Sequence, residues 1–332
     1  MPFIDLPGDL QVGYATDFPP ELSTEDSYRT EINEAWPKYM CLGDADIMAP
    51  LRKDPWLRQF QILLVHKAPG SHAMRLVGAG SSVPFFWSTP NDNDTLPDRG
   101  WDAVGALGIR QHYFRNKMTE TLQAFKPRTQ PDIPVERSWD SHSDYSGGEA
   151  PNALCALAIC ILPEFRGRGF PEQIIGLMRK KCIAEGYKAF VAPVRPTRKA
   201  EFKTMEMATY LRMGRNGAGE NTTTGDNSTS RLVRKDTFDP WVRKHLSVGG
   251  KPVKLANASV VLRASGSCWD DAADMPGMCE KARKEGKVQI NELDGEEYTN
   301  VYDVPGTLGP VRYYRRRDEG VYCEVNLWIR HL

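Results

Sequence analysis

The sequence runs to 332 residues with 40% hydrophobic content, enough for a sizeable core in one large domain or two small ones. Lys plus Arg and Asp plus Glu both number 43, so the chain lacks the global basic field that nucleic-acid or anionic-membrane binding leaves, and neither partner is expected. Met1-Pro2-Phe3-Ile4-Asp5-Leu6-Pro7 has no basic segment followed by an apolar run, and no stretch reaches bilayer-spanning length, so a cytoplasmic location is expected.

Seven cysteines (41, 155, 160, 182, 268, 279, 323) are scattered through apolar segments and odd in number. That pattern suits buried free thiols in a reducing compartment better than a disulfide framework. The six histidines show no metal-ligand spacing, and Asp140-Ser141-His142-Ser143-Asp144 is no calcium loop, so no metal is expected.

In chain order, Glu25 to Met40 reads as a helix, with another near Pro55 to Phe60. The apolar run Gln61 to Lys67 ends in a Pro-Gly pair and Met74 to Trp87 resumes with β-branched and aromatic residues, which predicts antiparallel strands. A helix is expected over Trp101 to Met118. Lys126 to Asn152, with four prolines and no periodicity, predicts a long loop. Ala153 to Leu162 and Lys188 to Val194 have strand length, and the helical segment Pro171 to Glu185 between them completes a β-α-β unit. Glu201 to Met213 reads as helical. Asn216 to Ser230 is nearly all Gly, Asn, Thr and Ser, too polar to hold one conformation. Phe238-Asp239-Pro240-Trp241 opens a short helix, and Ala258 to Arg263 and Val321 to Ile329 read as strands.

The chemistry concentrates where the strand ending at Leu162 meets the helix. Arg166-Gly167-Arg168-Gly169-Phe170-Pro171 is a Gly-rich turn running into a helix start. The glycines permit backbone dihedrals closed to other residues, and the unpaired amides of the helix start face the turn. With Arg166 and Arg168 beside them, such amides suit a pyrophosphate. Pro171 fits the first helical position, Ile174, Ile175, Met178, Cys182 and Ile183 form one buried face, and Gly186 is placed to end the helix. A dinucleotide fingerprint would need Gly at Glu172, and a P-loop would need Gly-Lys-Ser/Thr. The bland alternative is a purely structural Gly-rich turn.

The segment resembles motif A of the GNAT acyltransferase superfamily: Arg or Gln, two residues, Gly, one residue, then Gly or Ala, after a strand and opening a helix. Arg166 and Gly169 match, and Pro171 departs from the pattern at its last position. Phe238 to His245 and Val325 to His331 resemble segments of a longer, poorly characterised group of GNAT-like proteins. The resemblance implies an α/β fold: a mixed, mostly antiparallel GNAT-like sheet with splayed central strands, flanked by helices. It would occupy residues 1–332 as a single domain, with long loops at 126–152 and 216–230 and an extended C-terminal part, 231–332, completing the sheet.

It also implies acetyl-CoA or another acyl-CoA as co-substrate. Ile161 and Leu162 would line its pantetheine arm, and Arg166, Gly167, Arg168, Gly169, Phe170 and Pro171 its pyrophosphate. Pro193, which cannot donate to a ladder, would fall where the splayed strand has no neighbour. The implied reaction is direct attack of an amine on the thioester, needing a neutral amine, a polarised carbonyl and a proton for the thiolate. Residues Ala153 to Leu162 contain no carboxylate, although a Glu there often serves as base in the superfamily.

On the last strand, Tyr322, Glu324, Asn326, Trp328 and Arg330 share one face by the two-residue repeat. Tyr322, Asn326 and Trp328 are candidate acceptor-binding residues and Glu324 a candidate base, the alternative being an ordinary sheet face. Tyr210 matches the region where the superfamily often keeps a Tyr as general acid, the alternative being a packing residue. Cys160 among Ile and Leu reads as an inert small hydrophobe rather than a nucleophile. The expected activity is N-acyl transfer to a small amine or amino-acid-like metabolite. The rival readings are a non-catalytic acyl-CoA binder and transfer involving a protein lysine or a carrier-bound acyl group.

Overall fold

The computed structural model describes residues 3–23, 31–42, 47–70, 73–125, 148–216, 232–292 and 295–332. Within them eleven strands make one mixed sheet, antiparallel at every pairing except one. The chain enters through a hairpin, β1 (Phe3–Leu6) and β2 (Leu10–Tyr14), turning at Pro7-Gly8-Asp9. Two short helices follow, α1 (Met48–Lys53) and α2 (Pro55–Arg58). Asp54 caps α2, accepting from the Trp56 and Leu57 amides at 2.9 and 3.0 Å, and Pro55 takes the first position, where its missing N–H costs nothing.

β3 (Ile62–Lys67) and β4 (Met74–Phe85) are the expected antiparallel pair. α3 (Gly100–Arg115) and α4 (Thr119–Ala124) come next. Then β5 (Ala153–Ile161), α5 (Phe170–Ala184) and β6 (Ala189–Val194) form the β-α-β unit, whose strands supply the single parallel pairing. α6 (Met207–Leu211) and α7 (Pro240–Ser247) precede the long strand β7 (Lys251–Ser265). An excursion follows, made of α8 (Gly266–Ala273), α9 (Met278–Glu285), β8 (Val288–Ile290), β9 (Glu297–Val301) and β10 (Val311–Tyr314). β11 (Glu319–Arg330) then returns to the sheet.

The unbroken apolar runs of β5 and β6 have a physical cause: both faces are covered. Leu154, Ala156 and Cys160 pack with Ile174, Ile175 and Met178 of α5, while Ala153, Cys155 and Leu157 pack with Val104, Leu107 and Ile109 of α3. Each fully buried Ile or Leu adds about 1.5–3 kcal/mol. Close approach fixes two glycines. A Cβ on Gly80 would lie 2.4 Å from Ile174 Cγ2, and one on Gly108 would lie 2.7 Å from the Pro84 carbonyl oxygen, so each helix sits directly on β4. α5 ends as expected: the Gly186 amide bonds the Ile183 carbonyl and the Tyr187 amide the Cys182 carbonyl, with Gly186 at φ 71°.

Several expectations need correction. Of the helix expected over Glu25 to Met40, the described part from residue 31 keeps π-helical backbone at Glu31 and Ile32 only, then turns and a 3-10 turn at Lys38–Cys41, because Pro37 interrupts the run. Glu201 to Met213 is a 3-10 turn (Lys199–Phe202) and the separate α6, and Pro171 takes the second rather than the first helical position. Ile183 is exposed, and Leu177 takes a place on the buried face of α5. Cys41, Cys268 and Cys323 are exposed, whereas Cys155, Cys160, Cys182 and Cys279 are buried. The hairpin β1–β2 and the excursion 266–318 had no counterpart among the expected elements. The loops expected at 126–152 and 216–230 lie mostly outside the described residues.

Candidate active site

The parallel pairing of β5 with β6 holds only from Ala153 to Cys155 opposite Ala189 to Val191, after which the strands part. β6 meanwhile turns its other edge to β11, with Val191 to Val194 opposite Arg330 to Leu327. The Phe190 amide and carbonyl both bond the chain after β11. By alternation the backbone N of residues 191 and 193 faces the gap, and at 193 that residue is proline, which has no N–H to leave unsatisfied there. On the opposite wall the Leu162 amide bonds the Val77 carbonyl on β4, so the backbone of Ile161 faces the gap. β5 also carries a bulge at Leu157, where the register against β4 slips between Ser81 and Ser82. The Trp101 indole fixes this bulge by donating to the Leu157 carbonyl at 3.0 Å. The result is a wedge between two strands, narrow at Cys155 and open at Ile161.

The Gly-rich turn lies at the open end. Gly167 and Gly169 have φ of 79° and 81°, a region costly for other residues, and a Cβ on either would meet nothing within 4 Å. Backbone conformation, not crowding, therefore demands glycine. Gly169 caps α5 without any side-chain hydrogen bond to the first-turn amides. Arg166 Nε donates to the Ile161 carbonyl at 2.8 Å, so its guanidinium sits at the mouth of the wedge. Arg168 lies 5.5 Å from the Phe165 ring centroid. Positive charge and free donors thus converge on one turn, which suits a phosphate anion. Glu172, in the first turn of α5, is neutralised by an ion pair with Lys244 of α7.

On β11, Tyr322, Glu324, Asn326 and Trp328 share a face as the alternation predicted, but the face is sealed. Their exposures are 0, 1, 2 and 0%. Glu324 Oε2 accepts from Arg195 Nε at 3.0 Å and from the Tyr322 hydroxyl at 2.8 Å. With the Asn326 amide turned to satisfy both ends, its Nδ2 donates to Glu324 Oε1 at 3.0 Å and its Oδ1 accepts from Ser259 Oγ at 2.9 Å. Ser259 Oγ in turn accepts the Trp101 amide at 3.0 Å. Arg195 Nη2 donates to the Tyr39 hydroxyl at 2.7 Å and to the Gly306 carbonyl. Burial, and the Glu324 carboxylate beside it, push the Tyr39 hydroxyl well above the usual tyrosine range. The Trp328 indole donates to the Pro97 carbonyl at 2.9 Å.

This network sits in a fork of the sheet. β7 covers one edge of β11 along its length, while the other edge pairs with β10 at Glu319 to Tyr322 and with β6 at Leu327 to Arg330. Glu324 falls between the two partners, and Arg195, the residue after β6, closes the fork. Arg195, Tyr39 and Ser259 were missed in the sequence reading. Arg195 had a faint signal, a charged residue flush against a buried apolar strand. Tyr39 had none, lying 285 positions from its Glu324 partner.

Tyr210 is fully buried, and its hydroxyl donates to Asp239 Oδ2 at 2.8 Å. Asp239 caps α7 through the Trp241 and Val242 amides and also accepts the Arg198 amide at 2.9 Å. Burial first, and then the Asp239 charge, raise the Tyr210 hydroxyl far above the usual range. Cys160 is buried, and desolvation pushes its thiol up to about 11, which keeps it a poor nucleophile.

No family model matches the sequence. It is similar to the arginine N-acetyltransferase avaD of Aspergillus versicolor, 23% identical over 335 residues, covering 99% of this chain and 96% of that protein. Among solved structures, it is similar to the loading GNATL domain of CurA from Lyngbya majuscula (16% identity, TM-score 0.43, 75% of this chain and 88% of that one). It is also similar to the GphF GNAT-like decarboxylase in complex with isobutyryl-CoA (14% identity, TM-score 0.40, 73% and 88%).

Proposed function

We propose that this chain, a GNAT-superfamily N-acetyltransferase, carries an acyl group from acyl-CoA to a nitrogen of a small amino-acid-like metabolite, with arginine the first acceptor to test. The observation that carries the cofactor half is the strand pair that parts after three residues, with an uncapped, Gly-rich helix start at its open end. The acceptor half rests on end-to-end similarity to an arginine N-acetyltransferase.

In this reading Gly167, Gly169 and the N–H groups of the first turn of α5 other than Pro171 hold the pyrophosphate, helped by Arg166 and Arg168. Pro171 presets the first turn of α5 without competing for the anion. The pantetheine arm lies in the wedge against the Ile161 backbone, with Leu162 anchoring that wall on β4. The thioester would then sit toward the narrow end, near the bulge at Leu157, and the amine would attack it directly. Asn326, Tyr322 and Trp328 shape the acceptor side from within the sheet.

The contacts of the two candidate catalytic groups favour positioning roles. Glu324, with both oxygens occupied and no exposed surface, holds Arg195 instead of receiving a proton from the acceptor. A hydroxyl that donates to a carboxylate is a weak acid, so Tyr210 secures α7 rather than protonating the leaving thiolate. The direct test is thiol release from acetyl-CoA with arginine, lysine, ornithine, agmatine and a lysine-containing peptide. Release with arginine or a close analogue, and none with the peptide, is expected. No release with any of the small amines refutes the reading.

A further inference from the structure

The buried network around Glu324 contains one partly exposed charged group. Tyr39, Tyr322, Glu324 and Asn326 are all at or below 2% exposure, whereas the Arg195 side chain is 23% exposed. Its Nε and Nη2 are held by Glu324, Tyr39 and the Gly306 carbonyl, while no hydrogen bond to Nη1 is made by the described residues and the side chain keeps part of its surface open. A guanidinium fixed on one side and open on the other is a preorganised receptor for an anion, because the entropy of ordering a long side chain has already been lost in folding.

Its position gives that receptor a purpose. Arg195 follows the last residue of β6, on the wall of the wedge opposite Ile161, and it bonds Glu324 on the sheet face away from α5. Arg195 is the partly exposed member of that otherwise sealed face, and it stands directly after the strand that forms one wall of the wedge. The charge nearby favours an anion as well. Lys199 Nζ bonds only the Phe202 and Leu308 carbonyls, at 2.8 Å each, and Lys203 Nζ only those of Tyr302 and Val304, at 2.6 and 2.7 Å. Among the described residues neither ammonium hydrogen-bonds a carboxylate, although the Asp303 charge acts on Lys203. Glu324 offsets the charge of Arg195 itself, so it keeps the guanidinium in place without leaving an unpaired cation in the interior.

We infer that Arg195 binds the carboxylate of the acceptor, so that the enzyme selects amino acids bearing a free carboxylate over the corresponding amines. The inference deepens the proposed acyl-transfer reading and rests on it. A hydrogen bond to a charged group typically supplies about 10- to 150-fold in kcat/KM, and that is the preference expected for arginine over agmatine, its decarboxylated analogue, and over arginine methyl ester.

The experiment measures kcat/KM for these three acceptors with the wild-type chain, Arg195→Lys, Arg195→Gln and the double variant Arg195→Gln/Glu324→Gln, with thermal melting of each. The double variant removes both charges together, so it keeps the interior neutral if the single Arg195→Gln variant fails to fold. The arginine-to-agmatine ratio is expected to fall at least tenfold in the folded double variant and by less in Arg195→Lys, with the rise in KM for arginine carrying most of the change. Equal use of all three acceptors by the wild-type chain overturns the inference and leaves acyl transfer standing. So does an unchanged ratio in a folded double variant. Absence of thiol release with every small amine overturns the acyl-transfer reading and this inference with it.

Discussion

Replacing Gly169 with Val tests the proposed phosphate cradle at the point where backbone geometry alone makes the demand. The residue sits at φ 81°, and a Cβ there meets no atom within 4 Å, so the substitution adds backbone strain and no clash. A β-branched residue in that region costs about 1–3 kcal/mol. Little nearby opposes relaxation: the turn is closed by the Arg166 amide on the Pro163 carbonyl at 3.2 Å and by Arg168 Nη2 on the Glu164 carbonyl at 3.3 Å. The Val variant is therefore expected to move φ to a negative value, swinging the amide that follows Gly169 away from the anion. Losing one hydrogen bond to a charged group costs about 1.5–3 kcal/mol, which raises the Kd for CoA about 10- to 150-fold. Gly169→Ala strains the turn less and should fall between. Titration calorimetry with CoA gives the affinity and thermal melting shows whether the fold persists. A folded Val variant whose Kd stays within about twofold of the parent's would mean that this turn does not hold the phosphates.

Three further outcomes are expected. Glu324→Gln should destabilise the chain by roughly 3 kcal/mol, because the Arg195 charge loses its buried partner, and should raise the KM for the acceptor; a hundredfold fall in kcat that recovers at high pH, with KM unchanged, would instead restore Glu324 as the base. Tyr210→Phe should lower stability by about 1–2 kcal/mol through the lost bond to Asp239 while kcat per folded molecule stays within about twofold, and a large loss of kcat would make Tyr210 the acid. Desolvation lowers the Lys199 ammonium to about 8, so between about pH 8 and the unfolded value near 10.5 the unfolded chain binds more protons and this group's contribution to stability rises with pH. Denaturant unfolding of the parent and Lys199→Met across that window should differ in slope, and parallel curves would exclude the assignment.

What the sequence discloses depends on how local each cause is. β3, β4, β5, α5, β6 and β11 were legible because each is an apolar run of the right length and period, bounded by Gly, Pro or charge. The splay was legible only through the family resemblance, with Pro193 as its one local trace. The excursion between β7 and β11 escaped because α9 reads Met-Cys-Glu-Lys-Ala-Arg-Lys-Glu and β8 has three residues, neither with an apolar stripe long enough to register. Its folding depends on packing α8 and α9 against Tyr39, far away in sequence, and against Tyr313 of β10 and Tyr322 of β11.

The β11 face marks the limit more sharply. Alternation correctly put Tyr322, Glu324, Asn326 and Trp328 side by side, because period two is a property of the strand itself. It could not say whether that face meets solvent, since the answer lies in what covers it: Tyr39, Trp101, Pro97 and the Gly306 to Leu308 loop, drawn from three distant segments. That difference alters the chemistry assigned to a carboxylate. On an open face it would be free to take a proton from an ammonium acceptor, whereas a buried one in a single chain survives only with its lone pairs occupied and its charge matched. Glu324 meets both conditions, through Tyr322 and Asn326 for the lone pairs and Arg195 for the charge. The same burial that occupies both Glu324 oxygens holds Arg195 at three points, through Glu324, Tyr39 and the Gly306 carbonyl. On the proposed reading, selectivity toward the acceptor follows from a group that never touches it.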